Sequence, residues 1–461
     1  MLKTKQLTIN EQLNKVKDQL SDGEQKNVSV IEEINEINPV DFFAAFEATD
    51  MHRVFWKDVT ENIYFVGIGA HEKFQTNTQD RFQSMKEQWD KYVQNVQVAI
   101  DAVKGTGPIL LGGFSFNQNI SSEKWKKFRP GMMVLPEMML TVNEEGCYMT
   151  YNLSITSSTN VSRTVRELKR WKHQISGLND NQDSQTVKST KSLDYRNWNQ
   201  LILDAVETIK SGKLGKVVLA RELEAEFNQD INLKEVLKRL DEDETDSYIY
   251  IFDLGQDSFI SVTPERLVSV RENELLSTCL AGTISRGETE EEDDVLAWSL
   301  LNDEKNLSEH QYVVNMIKEA IEPLTKSISI PDKPVIYPLR SLQHLYTPVK
   351  ATMKETISIF DLIEKLHPTP ALGGEPRELA MEFISSHEPF ERGWYAAPIG
   401  WVDYQGNGEF AVAIRSALIS KNEATLFAGC GIVEESDPEA EYEETKLKFT
   451  PMLEALGGVS R

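Results

Sequence analysis

The sequence predicts a mixed α+β fold, and three observations carry that expectation. Between Phe55 and about Leu153, short β-rich runs (NIYFVGIGA, PILLGGFSF, MMVLPEMMLTV, CYMTYNLSI) are punctuated by Gly and Pro, which is the patterning of strands. Further on, apolar residues recur at helical spacing in stretches such as YRNWNQLILDAVETIKSG, alternating with more strand-like runs. The 461 residues have a globular composition and suffice for two ordinary domains or one large two-layer domain.

In chain order, residues 1 to about 40 are polar and helix-prone with little to bury, so a peripheral arm is expected there. VGIGAHEK, with Gly67 and Gly69, lacks the third glycine and the βαβ setting of a dinucleotide loop and reads as a tight turn. Residues 175–192 are polar and read as an exposed connection between an N-terminal β-rich part, 1–190, and a second part, 191–461. That second part opens with a helix carrying Trp198, Leu201, Ile202, Ala205 and Ile209 and stopping at Gly212. KVVLAREL, SYIYIFDLG and SFISVTPERLVSV follow as strands. Residues 289–324 then read as one long helix whose acidic start suits the positive end of the helix dipole. GEFAVAIRSALIS and ATLFAGCGIV are strands again, and Ser436 or Asp437 caps a last helix with Pro438 in its first turn.

Composition narrows the function. A formal charge of −24 argues against a nucleic acid partner, because phosphate binding needs a basic face. Three cysteines, Cys147, Cys279 and Cys430, are too few and too scattered for a disulfide framework or a thiolate zinc site, and the seven histidines form no HExxH motif. The N-terminus has no apolar signal core, and no apolar run approaches the ~18 residues that span a bilayer. A cytoplasmic protein with no membrane partner is expected.

Several charged residues stand where charge is costly unless it is paired or used. Lys216 opens a β-pattern with Val218 and Ala220 on its face; desolvated there it can act as a base, and exposed it is an ordinary strand end. Glu265 sits at a break between strand runs, either aimed into a cleft as a general acid or paired with Arg266 at the surface. Glu441, Glu444 and Lys448 share a face of the last helix, where the carboxylates can hold Mg²⁺ or Glu444 can simply bridge Lys448. Gly429, Cys430 and Gly431 can aim backbone N–H groups at an anion or form a plain turn. Arg415, in the apolar run FAVAIRSALI, needs an anion, either a structural carboxylate or a substrate's.

Together KVVLARE, TPERL, LAGT, EKNLSEHQ, HPTPALGGEPR, GWYAAPIGWVD, AIRSALI, FAGCGIV and the terminal helix resemble the chorismate-utilising enzymes, in order, over about residues 195 to 455. The resemblance implies two antiparallel sheets enclosing a central cleft with helices outside. It also implies Mg²⁺-dependent attack at C2 of chorismate with loss of the C4 hydroxyl. Members that use ammonia carry glutamine where this chain has Lys216, and aminodeoxychorismate synthases carry a nucleophilic lysine where it has Ala281. Salicylate synthases are more polar, with a threonine, around Ala371 and Leu372. All three positions resemble the isochorismate synthases, and HPTPALGGEPR with ERGWYAAPIGW resembles the menaquinone-pathway branch more than the siderophore branch; salicylate synthase or a siderophore-pathway isochorismate synthase is the alternative.

Carried over, Lys216 is the base that activates water and Glu265 the acid at the departing hydroxyl. Glu309 and Glu444 hold Mg²⁺, with Glu441 behind a water. Ala281, Gly282, Thr283, His367, Leu372, Tyr395, Arg415, Gly429, Gly431 and Lys448 are implied to bind or shape the pocket for chorismate. A monomer without an obligate amidotransferase subunit is expected.

Overall fold

The β-rich runs pair into two large sheets in a computed structural model that describes residues 7–77, 80–99, 103–118, 120–175, 185–192, 195–244, 246–338 and 342–458. One sheet has 13 strands and the other 10, and every described pairing is antiparallel except that of Gln25–Ile34 with Val96–Val98. Strands from both sides of residue 190 interleave: Arg53–Lys57 pairs with Tyr248–Asp253 in the larger sheet, and Ile109–Phe114 with Pro398–Asp403 in the smaller. One apolar core takes Trp56, Phe65, Phe252 and Phe259 from the larger sheet and Leu111, Trp401 and Phe410 from the smaller, so it fills the space between them. A second core sets Leu13, Phe42, Leu237 and Phe449 of four helices against strands of the larger sheet alone and covers its other face. This burial of apolar area between layers is the main stabilising term for such a fold.

Several expectations need correction. Residues 9–34 are not a peripheral arm: the helix Ile9–Lys17 buries Leu13 and Val16, and Gln25–Ile34 is a strand of the larger sheet with Val28, Val30 and Ile31 buried. The alternation in NVSVIEEI carried that signal beneath a polar average. The expected connection ends in an edge strand, Val187–Ser192, on Lys216–Phe227; its stretch 176–184 lies outside the described residues. The single long helix is two, Glu290–Leu301 and Glu304–Ile321, because the Asp303 side chain accepts from the Asn306 N–H and starts a new helix. Gly69, by contrast, adopts the left-handed φ of 74° that a tight turn asks for. Among the described residues no helix is long and apolar enough to cross a membrane.

FAVAIRSALI is likewise two strands rather than one. Gly408–Val412 belongs to the smaller sheet and Ser416–Ser420 to the larger, with Arg415 at a left-handed φ of 47° in the joint. SFISVTPERLVSV makes the same passage, from Asp257–Thr263 in the larger sheet to Arg266–Arg271 in the smaller. The two joints run side by side: the Val412 N–H donates to the Glu265 carbonyl at 3.0 Å, and the Ser261 hydroxyl to the Ile414 carbonyl at 2.8 Å. Glu265 and Arg415 therefore both occupy the seam where chain leaves one sheet for the other.

Candidate active site

Proline at 264 cannot continue a strand ladder, so the chain bends there and frees the next side chain from either sheet. The Glu265 N–H is held by the Thr263 hydroxyl at 3.1 Å. Arg266 does not pair with Glu265. Its guanidinium bonds the fully buried Glu409 at 2.7 Å, which also accepts from Arg271 at 2.7 Å and from the Tyr248 hydroxyl at 2.5 Å. With its neighbour tied down, Glu265 makes no ion pair among the described residues.

This anchor includes a second carboxyl, Asp58, which burial and then Glu409 push up to about 7. The unfolded chain releases that proton near pH 4 and the folded chain only near pH 7, so stability falls as pH rises through this window. Asp58→Asn cannot titrate and keeps an oxygen for the Thr60 and Glu61 N–H groups that Asp58 now caps. The expected result is a flatter melting temperature between pH 5 and 8 than the parent shows, read by calorimetry. Parallel curves would remove Asp58 as the titrating group.

Lys216 begins the strand Lys216–Phe227, which pairs Val218 with Gly431 and Ala220 with Gly429. Gly429 to Gly431 lie in that extended partner strand, Glu423–Ile432, and form neither a turn nor a loop. Their smallness serves side chains instead: a Cβ on Gly431 would lie 2.8 Å from Lys216 Cε, and one on Gly429 2.8 Å from the Tyr395 hydroxyl. The Lys216 side chain thus lies across Gly431, half-buried, its amine with no hydrogen bond or ion pair among the described residues. Gly431→Ala meets only the flexible end of that lysine, so folding should be kept while the amine is displaced. An expected loss of turnover of about 10- to 100-fold with an unchanged melting temperature checks this.

The charges converge on Glu265. Burial pushes its carboxyl up to about 7, and Lys448, Lys216 and Arg415 are all close enough to pull the other way. Arg415, whose guanidinium burial pushes down, has no ion pair among the described residues; Glu244 and Glu265 are the acids that act on it from a distance. His344 belongs here too and escaped the sequence reading. Burial, Arg415 and Lys448 hold its imidazole down at about 4, hence neutral, and its Nδ1 meets the Thr283 hydroxyl at 2.9 Å. Nothing local marks QHLYT as special; only the pairing of Thr283 with His344 across the Ala281–Thr283 bulge brings it in.

The last helix, Pro438–Ala455, is capped by Asp437 and laid against the strand Glu423–Ile432. Lys448 bridges Glu444 at 2.8 Å and donates to the Gly429 carbonyl at 2.9 Å. Glu441 accepts from Ser436 at 2.8 Å, and burial raises its carboxyl. Both carboxylates act on the buried Cys430 thiol beside Gly429 and Gly431, which places them at the Lys216 end of the strand pair.

Glu309 stands on the helix Glu304–Ile321. Its neighbour His310 is buried and pins that helix to the smaller sheet, Nδ1 on the Ala281 carbonyl at 3.0 Å and Nε2 on the Thr347 hydroxyl at 2.7 Å. Asn306, one turn earlier, packs against Gly282, so Glu309 runs alongside Ala281–Thr283. Tyr395 is buried and stacks on Phe427 with ring centres 5.4 Å apart. Leu372 is buried, its carbonyl held by Arg392 at 2.9 Å. His367 lies elsewhere: its charged neighbours are Arg81, Arg377 and Arg392, and its Nε2 meets the Phe116 carbonyl at 3.2 Å.

Thus Lys216, Glu265, Arg415 and Lys448 share one electrostatic neighbourhood with His344, Tyr395, Glu441 and Glu444. Among the described residues there is no group of three or more His, Cys, Asp or Glu side chains arranged to hold a metal. A half-buried acid with an unpaired amine and an unpaired guanidinium in its neighbourhood fits a small anion that undergoes proton transfer.

The chain belongs to the family described as "Chorismate binding enzyme", whose profile matches residues 11–457. It is 42% identical over 444 residues to the isochorismate synthase MenF of Bacillus subtilis, with 94% of each chain covered. It is 34% identical to the salicylate biosynthesis isochorismate synthase of Pseudomonas aeruginosa, covering 93% of this chain and 89% of that one. Among solved structures, the menaquinone-specific isochorismate synthase MenF of Escherichia coli superposes with a TM-score of 0.78 at 25% identity, over 97% of this chain and 99% of that one. The two-sheet architecture with helices outside is that of this family.

Proposed function

We propose that the chain is an isochorismate synthase that adds water at C2 of chorismate and expels the C4 hydroxyl, feeding menaquinone biosynthesis. The observation that carries this is Glu265, raised to about 7 amid Lys216, Arg415 and Lys448. At neutral pH such a carboxyl keeps a proton to donate while its neighbours attract a dianion. Lys216 removes a proton from water as the C2–O bond forms; Glu265 gives a proton to the C4 oxygen as that bond breaks, so one water enters and one leaves. Arg415 and Lys448 hold the enolpyruvyl carboxylate, and Tyr395 and Leu372 shape the pocket.

The donor set of Glu309 and Glu444, with Glu441 one turn away, is all carboxylate, which suits Mg²⁺, an ion that accepts one or two protein carboxylates and fills its shell with water and ligand oxygens. Bound there, Mg²⁺ supplies positive charge for the ring carboxylate of chorismate. Water as nucleophile requires no amidotransferase subunit, and the enzyme acts as a cytoplasmic monomer in this reading.

Chromatography of the products from chorismate, with and without Mg²⁺ and with ammonium added, tests the reading. Isochorismate should form only with Mg²⁺, ammonium should add no amino product, and a coupled assay should detect no pyruvate. Release of pyruvate, or chorismate binding with no turnover, would overturn it. Glu309→Gln should raise the Mg²⁺ concentration needed for half-maximal turnover at least about tenfold; an unchanged requirement would remove Glu309 from the metal site.

A further inference from the structure

A cleft of about 780 Å³ lies outside this cluster, between the helices Arg81–Val93 and Arg377–His387. That is the size range of small-molecule sites. Its inner wall carries Arg81, 4% exposed, whose guanidinium lies 4.4 Å from the centre of the Phe82 ring and makes two long hydrogen bonds, to the Ser115 and Phe116 carbonyls at 3.3 and 3.4 Å. Its Nε has no acceptor, and among the described residues no carboxylate comes within ion-pair distance. Arg377 faces the same space, bonded to the carbonyls of Lys365 and His367 and likewise to no carboxylate. Burial, and then the charge of Arg377, push Arg81 down to about 10. A buried guanidinium without an anion is costly, and two close together cost more.

Of the acids around the cleft, Glu364 attracts both guanidinium groups and Glu378 attracts Arg377, but among the described residues none forms an ion pair with either. Glu388 is taken by Arg392 at 2.8 Å and by the Ala220 N–H at 2.9 Å, and Glu391 by the N–H groups of Ser121 and Ser122. Glu364 accepts from Gln83 at 3.0 Å, and Glu378 and Glu382 are exposed at the rim. Phe82, Phe116, Met381 and Phe390 stand among the polar side chains of the wall, and the buried Nδ1 of the neutral His367 has no partner.

We infer that this cleft is a second anion site, one that takes a small aromatic carboxylate. The guanidinium groups of Arg81 and Arg377 grip the carboxylate, and Phe82, Phe116 and Phe390 enclose the ring. Planar guanidinium forks match a carboxylate, and phenylalanines beside them in a mixed lining favour a ring over a hydrated phosphate. The site is independent of the catalytic reading, since none of its residues belongs to the Glu265 cluster.

Calorimetric titration of the full chain without Mg²⁺ tests this, using benzoate, inorganic phosphate and benzyl alcohol as probes. Benzoate should bind at one saturable site and the neutral alcohol should not. Arg377 is exposed, so Arg377→Gln can be made without opening the core; it should weaken benzoate at least about tenfold at an unchanged melting temperature. Arg81→Gln, if folded by the same measure, should do the same, and Arg415→Gln in the catalytic cleft should leave benzoate binding as in the parent. Absence of benzoate binding, phosphate binding in its place, or an isotherm that Arg377→Gln leaves intact or Arg415→Gln abolishes would overturn the assignment.

Discussion

Replacing Lys216 by alanine is expected to lower kcat on the order of 10³-fold, within the range that a positioned general base contributes, while chorismate binding changes little. The split follows from geometry. The lysine side chain lies across Gly431 and its amine makes no hydrogen bond or ion pair among the described residues, so its loss unpairs nothing. The groups assigned to grip carboxylates, Arg415 and Lys448, stand on other segments, with Lys448 anchored on the Gly429 carbonyl. Substrate affinity by calorimetry and single-turnover rates separate the two effects. Turnover near that of the parent would reassign the base, with the neutral His344 the next group to test.

Glu265→Gln should be comparably severe, about 10²- to 10⁴-fold, and should also change the pH profile. Burial holds the Glu265 carboxyl at about 7, and the donating form is the protonated one. In the parent, kcat/KM should therefore fall tenfold per pH unit as pH rises past about 7, since the free-enzyme titration governs that quantity. The substituted amide has no proton to lose, so the residual activity should show no descending limb there. A descending limb that survives the substitution would assign it to another group. The three cations around Glu265 oppose its burial, so Arg415→Gln should move the limb to higher pH.

Much of the candidate site was legible in the sequence because its residues sit inside patterned segments. The strand opened by Lys216, the break at Pro264 and Glu265, and the helix face of Glu441, Glu444 and Lys448 all follow from local periodicity. Their joint assignment came from the resemblance rather than from spacing. Gly429 and Gly431 were read for their backbone N–H groups, whereas the structure shows room made for Lys216 and Tyr395; which side chain lies across a glycine depends on the neighbouring strand. His344 went unseen because its partners Thr283, Arg415 and Lys448 lie in other elements.

The sequence by itself determined the mixed α+β class, most strands and helices, and a globular composition without metal-thiolate or nucleic-acid signatures, because each rests on composition or short-range periodicity. Tertiary structure alone decided that FAVAIRSALI and SFISVTPERLVSV each leave one sheet for the other, and that Arg266 turns to Glu409 instead of Glu265. A strand's hydrophobic alternation says which face is buried but not which sheet it joins, and a carboxylate's partner is chosen by distance across the fold. The seam that gathers Glu265 and Arg415 is a consequence of those long-range choices.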